Sequence, residues 1–287
     1  MNSYKELMFS VGGIGFLVSM PEQLSIPYEF SNFVVQKAEI KERITIKLIN
    51  EPVRIDGHLF HREEGQLVYK VADGWIRCFP RFDAKDGLCT TLYLRDSGNH
   101  TLYIPQDEQS IYTVGKNLIS VLAGEYLLMK NDAIILHSSV VCYKGKCVLF
   151  SGRSGVGKST QADIWNKAFN AEIINGDRCV IAKRDDAFFG CGSPYAGSSE
   201  IFKQKEAPIA GIVFVSQGKS NRIYPVSKKE AFFRIYSQCV VNTWDASYTK
   251  KMCDFTDILI EKTPMYILSC KPELSVAELV KQQLYRG

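Results

Sequence analysis

Residues Phe150 to Thr160 read FSGRSGVGKST, and Gly152 to Ser159 within them fit the pattern G-x-x-x-x-G-K-[ST]. No other stretch constrains the chain as strongly, because this pattern works only where a strand ends and a helix begins. There, successive backbone N–H groups curl around an anion at a helix N-terminus, where the helix dipole favours negative charge. The flanks supply both elements. CVLF (147–150) reads as a strand, and KSTQADIWNKAF (158–169) opens a helix with Ile164, Trp165 and Ala168 available for burial. Gly152, Gly155 and Gly157 permit the backbone angles, Lys158 can bridge the outer phosphates, and the Ser159 hydroxyl can sit on a magnesium ion. Gly152, Arg153, Ser154, Gly155, Val156, Gly157, Lys158, Ser159 and Thr160 are therefore the expected contacts of a nucleoside triphosphate.

The residues before the loop, HSSVVCYKGKCVLFSG (137–152), read as a hairpin turning at Lys144-Gly145. In that register Tyr143 faces Lys146 and His137 faces Gly152, so the imidazole comes to the mouth of the loop. Loops of the Ras or ATPase kind are fed from a parallel sheet, without such an antiparallel partner. Magnesium needs carboxylate help, and a hydroxyl acceptor needs a base near the transferred phosphoryl group. AEIINGDRCVIA (171–182) supplies Asp177 after room for the loop helix and one returning strand, as metal ligand or base. Asp185 and Asp186, in KRDDAFF, read as a hairpin tip in solvent.

At 287 residues and 46% apolar content the chain has room for about two domains. Residues 1–109 form a β-rich region: RITIKLI (43–49), HLFHR (58–62), QLVYKV (66–71), WIRCF (75–79), TTLYLR (90–95) and TLYIP (101–105) alternate between turn signals such as Asp73-Gly74 and Ser97-Gly98-Asn99. His58, His61 and His100 lie on these runs without partners at ligand spacing and read as surface residues. Residues 110–132 read as a junction helix, capped by Ser110, apolar at Ile111, Val114, Leu118, Leu122 and Leu127, and closed by Asn131-Asp132. Residues 133–287 interleave strand and helix signals, as in an α/β domain with a mixed sheet. Within them, SKKEAFFRIYSQ (227–238) reads as an amphipathic helix with a Ser227–Glu230 capping box and core aromatics. SVAELVKQQLYRG (275–287) reads as a closing helix with Ser275 and Glu278 as its box. SPYAGSSE (193–200) is either a plain connection or a loop over the acceptor, with Tyr195 and Glu200 as contacts. Arg222 reads as a solvated hairpin residue that could also steady phosphate charge.

Thirty-five basic and 31 acidic residues give +4 without a basic run, so charge names no nucleic-acid partner. Nine cysteines without paired spacing point to reduced thiols. The N-terminal apolar run is broken by Gly12, Gly13 and Gly15 and lacks the order of a secretory signal. No apolar segment approaches the ~18 residues needed to span a bilayer, so a soluble, cytoplasmic protein without membrane contact is expected.

Taken together, LHSSVV, GRSGVGKST and INGDRCVI resemble the HPr kinase/phosphorylase and phosphoenolpyruvate carboxykinase superfamily. So do GSPYAGSSEIF (192–202), APIAGIVFVSQGKSNRIYPVS (207–227) and TPMYILSCKP (263–272). The likeness covers residues 133–287 and extends to the HPr-kinase-like proteins of bacteria, including those encoded beside ribosomally made, modified peptides. The resemblance implies a mixed-sheet P-loop domain preceded by a β-rich N-terminal domain. It implies ATP- and Mg²⁺-dependent transfer of the γ-phosphoryl group to a hydroxyl, of the serine kind, in a peptide, a small protein or a free amino acid. By it Lys158 and Ser159 bind phosphate and magnesium, His137 assists at the reacting group, and Asp177 is metal ligand or base. It also suggests a homo-oligomer.

Two departures matter. The family carries two adjacent aspartates after the loop helix, whereas here the pair reads Gly176-Asp177 or Asp177-Arg178, and one carboxylate is missing either way. The glycine-rich segment by which HPr kinases engage their protein substrate is also not found, which argues against HPr as the acceptor. The missing acid motivates an alternative: a nucleotide-binding sensor or scaffold that transfers nothing. A carboxykinase acting on a keto acid lacks a set of arginines spaced to clamp a dicarboxylate.

Overall fold

The computed structural model describes residues 3–80, 87–195 and 197–285, so Ala196, Arg286 and Gly287 of the segments quoted above lie outside them. The chain divides into two units, Met1–Leu127 and Leu128–Gly287.

In the first unit, β1 (Tyr4–Val11) and β2 (Ile14–Pro21) form a hairpin, followed by the short helix α1 (Tyr28–Ser31). Then come β3 (Ile40–Ile49), β4 (His58–Glu63), β5 (Gln66–Val71), β6 (Gly74–Phe79), β7 (Thr90–Arg95) and β8 (Asn99–Pro105). All eight strands join one sheet in the order β1-β2-β3-β8-β7-β6-β5-β4. It is antiparallel except that β3 runs parallel to both β2 and β8. The six alternating runs of the sequence become β3 to β8, while the glycine-broken N-terminal run becomes the β1–β2 hairpin. Alternation along β3 buries Glu42, Ile44 and Ile46, and Leu92, Leu102 and Ile104 on β7 and β8 are buried too.

That buried Glu42 explains why the surface reading of His100 fails. His100 is buried, its Nδ1 accepts the Arg95 N–H (3.1 Å), and its Nε2–H donates to Glu42 Oε2 at 2.8 Å. The carboxylate and imidazole satisfy each other across β3 and β8, a long-range pairing that residue spacing in the sequence does not reveal.

The expected junction helix is three pieces. A 3₁₀ segment spans Gln106–Thr113, α2 spans Gly115–Val121 and α3 spans Gly124–Lys130. Ser110 lies inside the 3₁₀ segment and caps nothing. Ala123, at φ 52°, adopts the left-handed conformation and breaks the helix between α2 and α3. Leu118, Leu122 and Leu127 are buried as read, but Ile111 and Val114 are exposed. Apolar period alone cannot register a single left-handed residue.

The second unit contains β9 (Ala133–Tyr143), β10 (Lys146–Ser151), α4 (Lys158–Phe169), β11 (Glu172–Asn175), β12 (Arg178–Arg184), β13 (Ala187–Cys191) and β14 (Glu206–Gln217). It ends with β15 (Arg222–Pro225), α5 (Lys228–Tyr236), α6 (Ala246–Lys262), β16 (Met265–Cys270) and α7 (Ser275–Leu284). The sheet order is β10-β9-β12-β13-β14-β16-β15, with β11 also on β9 and β10 also on β14. The loop strand β10 therefore has an antiparallel neighbour, β9, and a parallel one, β14. The parallel feed expected of ordinary phosphate loops is present here beside the hairpin.

Helix α4 docks on this sheet through Ile164 and Trp165, with Ala162 buried in place of the exposed Ala168. The Trp165 ring, fully buried, meets Tyr143, Phe150 and Phe169 edge-on. Truncating such a side chain to alanine costs about 3–5 kcal/mol. On α5, Ser227 accepts the Glu230 N–H at 3.3 Å, but the Glu230 carboxylate pairs with Arg234, so the reciprocal half of the box is not made. Ala231 and Ile235 are buried, whereas Phe233 is 61% exposed, against the reading of its aromatics as core. On α7 the N-cap is Leu274 and Glu278 pairs with Lys281, so the second expected box is absent. All nine cysteines are free thiols, and among the described residues no helix is long and apolar enough to cross a membrane.

Candidate functional site

Lys144 (φ 48°) and Gly145 (φ 74°) make the two left-handed residues of a tight hairpin turn. The turn sets Tyr143 opposite Lys146, and the pairing runs to Ser138 opposite Ser151. The Ser151 hydroxyl donates to the His137 carbonyl at 3.0 Å, so His137 stands level with Gly152, where β10 gives way to the loop. Residues from the end of α5 replace β10 at that point. The His137 N–H donates to the Gln238 carbonyl (2.9 Å), and Leu136 bridges Cys239.

The loop backbone requires glycine. Gly152 has φ 147°, and a Cβ there would come within 3.1 Å of the Val215 carbonyl oxygen; Gly157, the N-cap of α4, has φ 106°. Arg153, Ser154 and Gly155 are exposed, as are Ser159 and Thr160 in the first turn of α4, and Val156 is half-buried. The Lys158 ammonium folds back over the loop and donates to the carbonyls of Gly152 and Arg153, each at 3.1 Å. Burial lowers its pKa, and the Asp177 carboxylate opposes that shift. A helix N-terminus, glycine-only backbone angles and a desolvated ammonium suit a polyphosphate.

Asp177 is held by a turn that the sequence reading did not anticipate in detail. Strands β11 and β12 both pair with β9, Asn175 against Val140 and Arg178 against His137, and Gly176-Asp177 crosses between them. Asn175 is fully buried and organises the crossing. Its Oδ1 accepts the N–H groups of Asp177 and Arg178, both at 2.9 Å, while its Nδ2 donates to the carbonyls of Ser193 (3.1 Å) and Tyr195 (3.0 Å). From β9, the Ser139 hydroxyl donates to the Gly176 carbonyl (2.8 Å) and the Ser138 N–H to the Asp177 carbonyl (2.9 Å). On the other side Gly197, at φ 57°, lies so close that a Cβ would sit 2.4 Å from the Asp177 Cβ. Asn175, Ser139 and Gly197 were missed in the sequence, where Asn-Gly was the visible turn signal.

The outcome is a pair: His137 Nε2 lies 3.4 Å from Asp177 Oδ1, with the two side chains 23% and 34% exposed. His137 holds the Asp177 carboxyl below its ordinary pKa, helped by Arg178 and Lys158 and opposed by burial. Ser159 and Asp177 are the oxygen donors that could hold magnesium, an ion that commonly takes only one or two carboxylates beside water and phosphate. Among the described residues no three His, Cys, Asp or Glu side chains cluster as a metal cage.

The other candidates stand elsewhere or are engaged. Asp185 and Asp186 occupy the β12–β13 tip, where Asp186 faces Lys262 at 3.5 Å. The Tyr195 ring lies against the Arg178 guanidinium (5.4 Å), and Glu200 and Arg222 are exposed.

No protein-family model matches the chain, and comparison with curated proteins gives no match. Solved structures that match include the HPr(Ser) kinase/phosphatase from Coxiella burnetii, at 10% identity and a TM-score of 0.30, covering 53% of this chain and 88% of that one.

Proposed function

We propose that this chain is an ATP- and Mg²⁺-dependent kinase that transfers the γ-phosphoryl group to a hydroxyl, the serine of a peptide, a small protein or a free amino acid. What carries the reading is the His137–Asp177 pair at 3.4 Å, brought level with the start of the phosphate loop by the β9–β10 hairpin. The loop amides and Lys158 bind the triphosphate, the ammonium exchanging its two loop carbonyls for phosphate oxygens. Magnesium, held by Ser159 and Asp177, supplies neutralising charge at the phosphates. The acceptor oxygen forms its bond to the γ-phosphorus as the bond to the β-phosphate oxygen breaks, and the hydroxyl proton passes to the Asp177 carboxylate. His137 orients that carboxylate. Its role is positioning the base, and the folded turn pre-pays the orientation.

Residues 133–287 form the catalytic region in this proposal, 110–132 the junction, and 1–109 a recognition or assembly region. A cytoplasmic setting and self-association belong to the same proposal.

A sensor that binds nucleotide without transfer is the second reading. It is favoured by Arg178, which follows Asp177 where a second carboxylate would complete an acidic pair. The test is a transfer assay with γ-labelled ATP and Mg²⁺, offering free serine and serine-containing peptides encoded next to the gene, with Asp177→Asn as control. Label on one acceptor, absent with the variant, supports the kinase. Nucleotide bound with no label on any acceptor supports the sensor.

A further inference from the structure

Within the second unit the phosphate loop has two flanks. Beside β9 and β12 lie His137 and Asp177. Beside β14 lies an open cavity of about 760 Å³, in the size range of small-molecule sites. Its floor is β14 at Phe214, Val215 and Ser216, one wall is the loop at Arg153 and Val156, and the facing wall is α5 and its exit to Gln238. Strands β10 and β14 run parallel here, with Ser151 opposite Phe214, so the cavity opens at the carboxyl ends of parallel strands, where α/β sheets bind ligands.

We propose that this cavity holds the nucleoside of the triphosphate, its base stacked on Phe233. The inference rests on the loop being the triphosphate site. A triphosphate on the loop has two ends, and the terminal phosphoryl group must meet the acceptor beside His137 and Asp177. The other end then extends away from Asp177, towards β14 and α5, past Gln238, whose carbonyl accepts the His137 N–H. Phe233 suits that end: it lines the cavity, is 61% exposed on a helix whose Ala231 and Ile235 are buried, and has the Phe232 ring perpendicular to it at 6.0 Å, so most of its aromatic surface is open to a base. Val156 supplies an apolar surface from the loop side. Arg234, also on the cavity wall, is engaged by Glu230 and lies over the Phe214 ring, whereas Arg153 and Lys229 line the cavity and form no ion pair among the described residues.

The experiment is calorimetric titration of the full chain with Mg²⁺-ATP and, separately, with Mg²⁺-tripolyphosphate, which has the charge but no nucleoside. Phe233→Ala should weaken ATP roughly ten- to a hundredfold while leaving tripolyphosphate unchanged, and Phe233→Trp should restore ATP. Lys158→Ala should weaken both ligands. If Phe233→Ala binds ATP as the wild type does while Lys158→Ala loses both, the loop reading stands and the nucleoside lies elsewhere. An equal loss of both ligands on Phe233→Ala also overturns the proposal, since stacking cannot act on tripolyphosphate. If Lys158→Ala binds both ligands unchanged, the loop reading itself fails and the cavity assignment falls with it.

Discussion

Asn175→Ala isolates the turn that presents Asp177. The substitution removes one hydrogen-bond partner from each of four backbone groups: the N–H of Asp177 and of Arg178, and the carbonyls of Ser193 and Tyr195. Each bond is worth about 1 kcal/mol net, so the change should cost about 4 kcal/mol. For a unit of this size each kcal/mol moves the melting temperature by about 2–4 °C, giving a fall of about 8–16 °C in scanning calorimetry. Asn175→Asp is the sharper companion. It keeps an acceptor for the two N–H groups but turns a second oxygen towards two carbonyls, so it should not rescue stability. Neither variant touches the loop, so ATP affinity should survive at temperatures where the chain is folded, while turnover falls. An Asn175→Ala protein melting within about 2 °C of wild type, with turnover intact, would refute the claim that this side chain builds the site.

His137→Ala should lower turnover at least about tenfold and ATP affinity much less, because the imidazole pairs with Asp177; a change in affinity alone would remove its positioning role. Gly197→Ala should cost about 1–3 kcal/mol and displace Asp177, since the added Cβ meets the Asp177 Cβ at 2.4 Å and the residue must hold φ 57°. It is checked by melting temperature and turnover together. The Asp177 carboxyl is held low in the folded chain, so its contribution to stability is present above its unfolded pKa of about 4 and is lost as pH falls through the lower folded value. Asp177→Asn should therefore flatten the acid limb of stability against pH and leave its shape above about pH 5 unchanged, as read by denaturant titration at each pH.

Much of the scaffold was legible because it rests on local rules. The two-residue turn at Lys144-Gly145 fixes the β9–β10 register, and a period of two makes every pairing back to Ser138 countable from it. Strand alternation marked β3 to β8 for the same reason. What stayed hidden depends on contacts far apart in the chain. Nothing near His100 announces Glu42, and nothing near Asp177 announces that Asn175 reaches Ser193 and Tyr195 or that Gly197 must be bare. Ala123 broke a helix whose apolar pattern continued across it. Phe233 looked like core because apolar spacing on α5 cannot say which side of the helix a neighbour covers. The caps erred in a similar way: Ser275 and Glu278 have the right spacing, but the preceding residue Leu274 already occupies the N-cap.

The strand β9 has a consequence for how such a chain can change over generations. Its two edges carry the loop strand on one side and β11 and β12 on the other, so His137, the loop, Asn175 and Asp177 come from one uninterrupted stretch of chain. The helix that faces the loop across the cavity comes from a later stretch altogether. A recombination point placed between them, after Gly197 and before β14, would pass on His137, the loop, Asn175 and Asp177 together with the Ser193, Tyr195 and Gly197 contacts that hold the turn. The far wall could then be exchanged or drift on its own, and what occupies the cavity could diverge while the hairpin stayed the same.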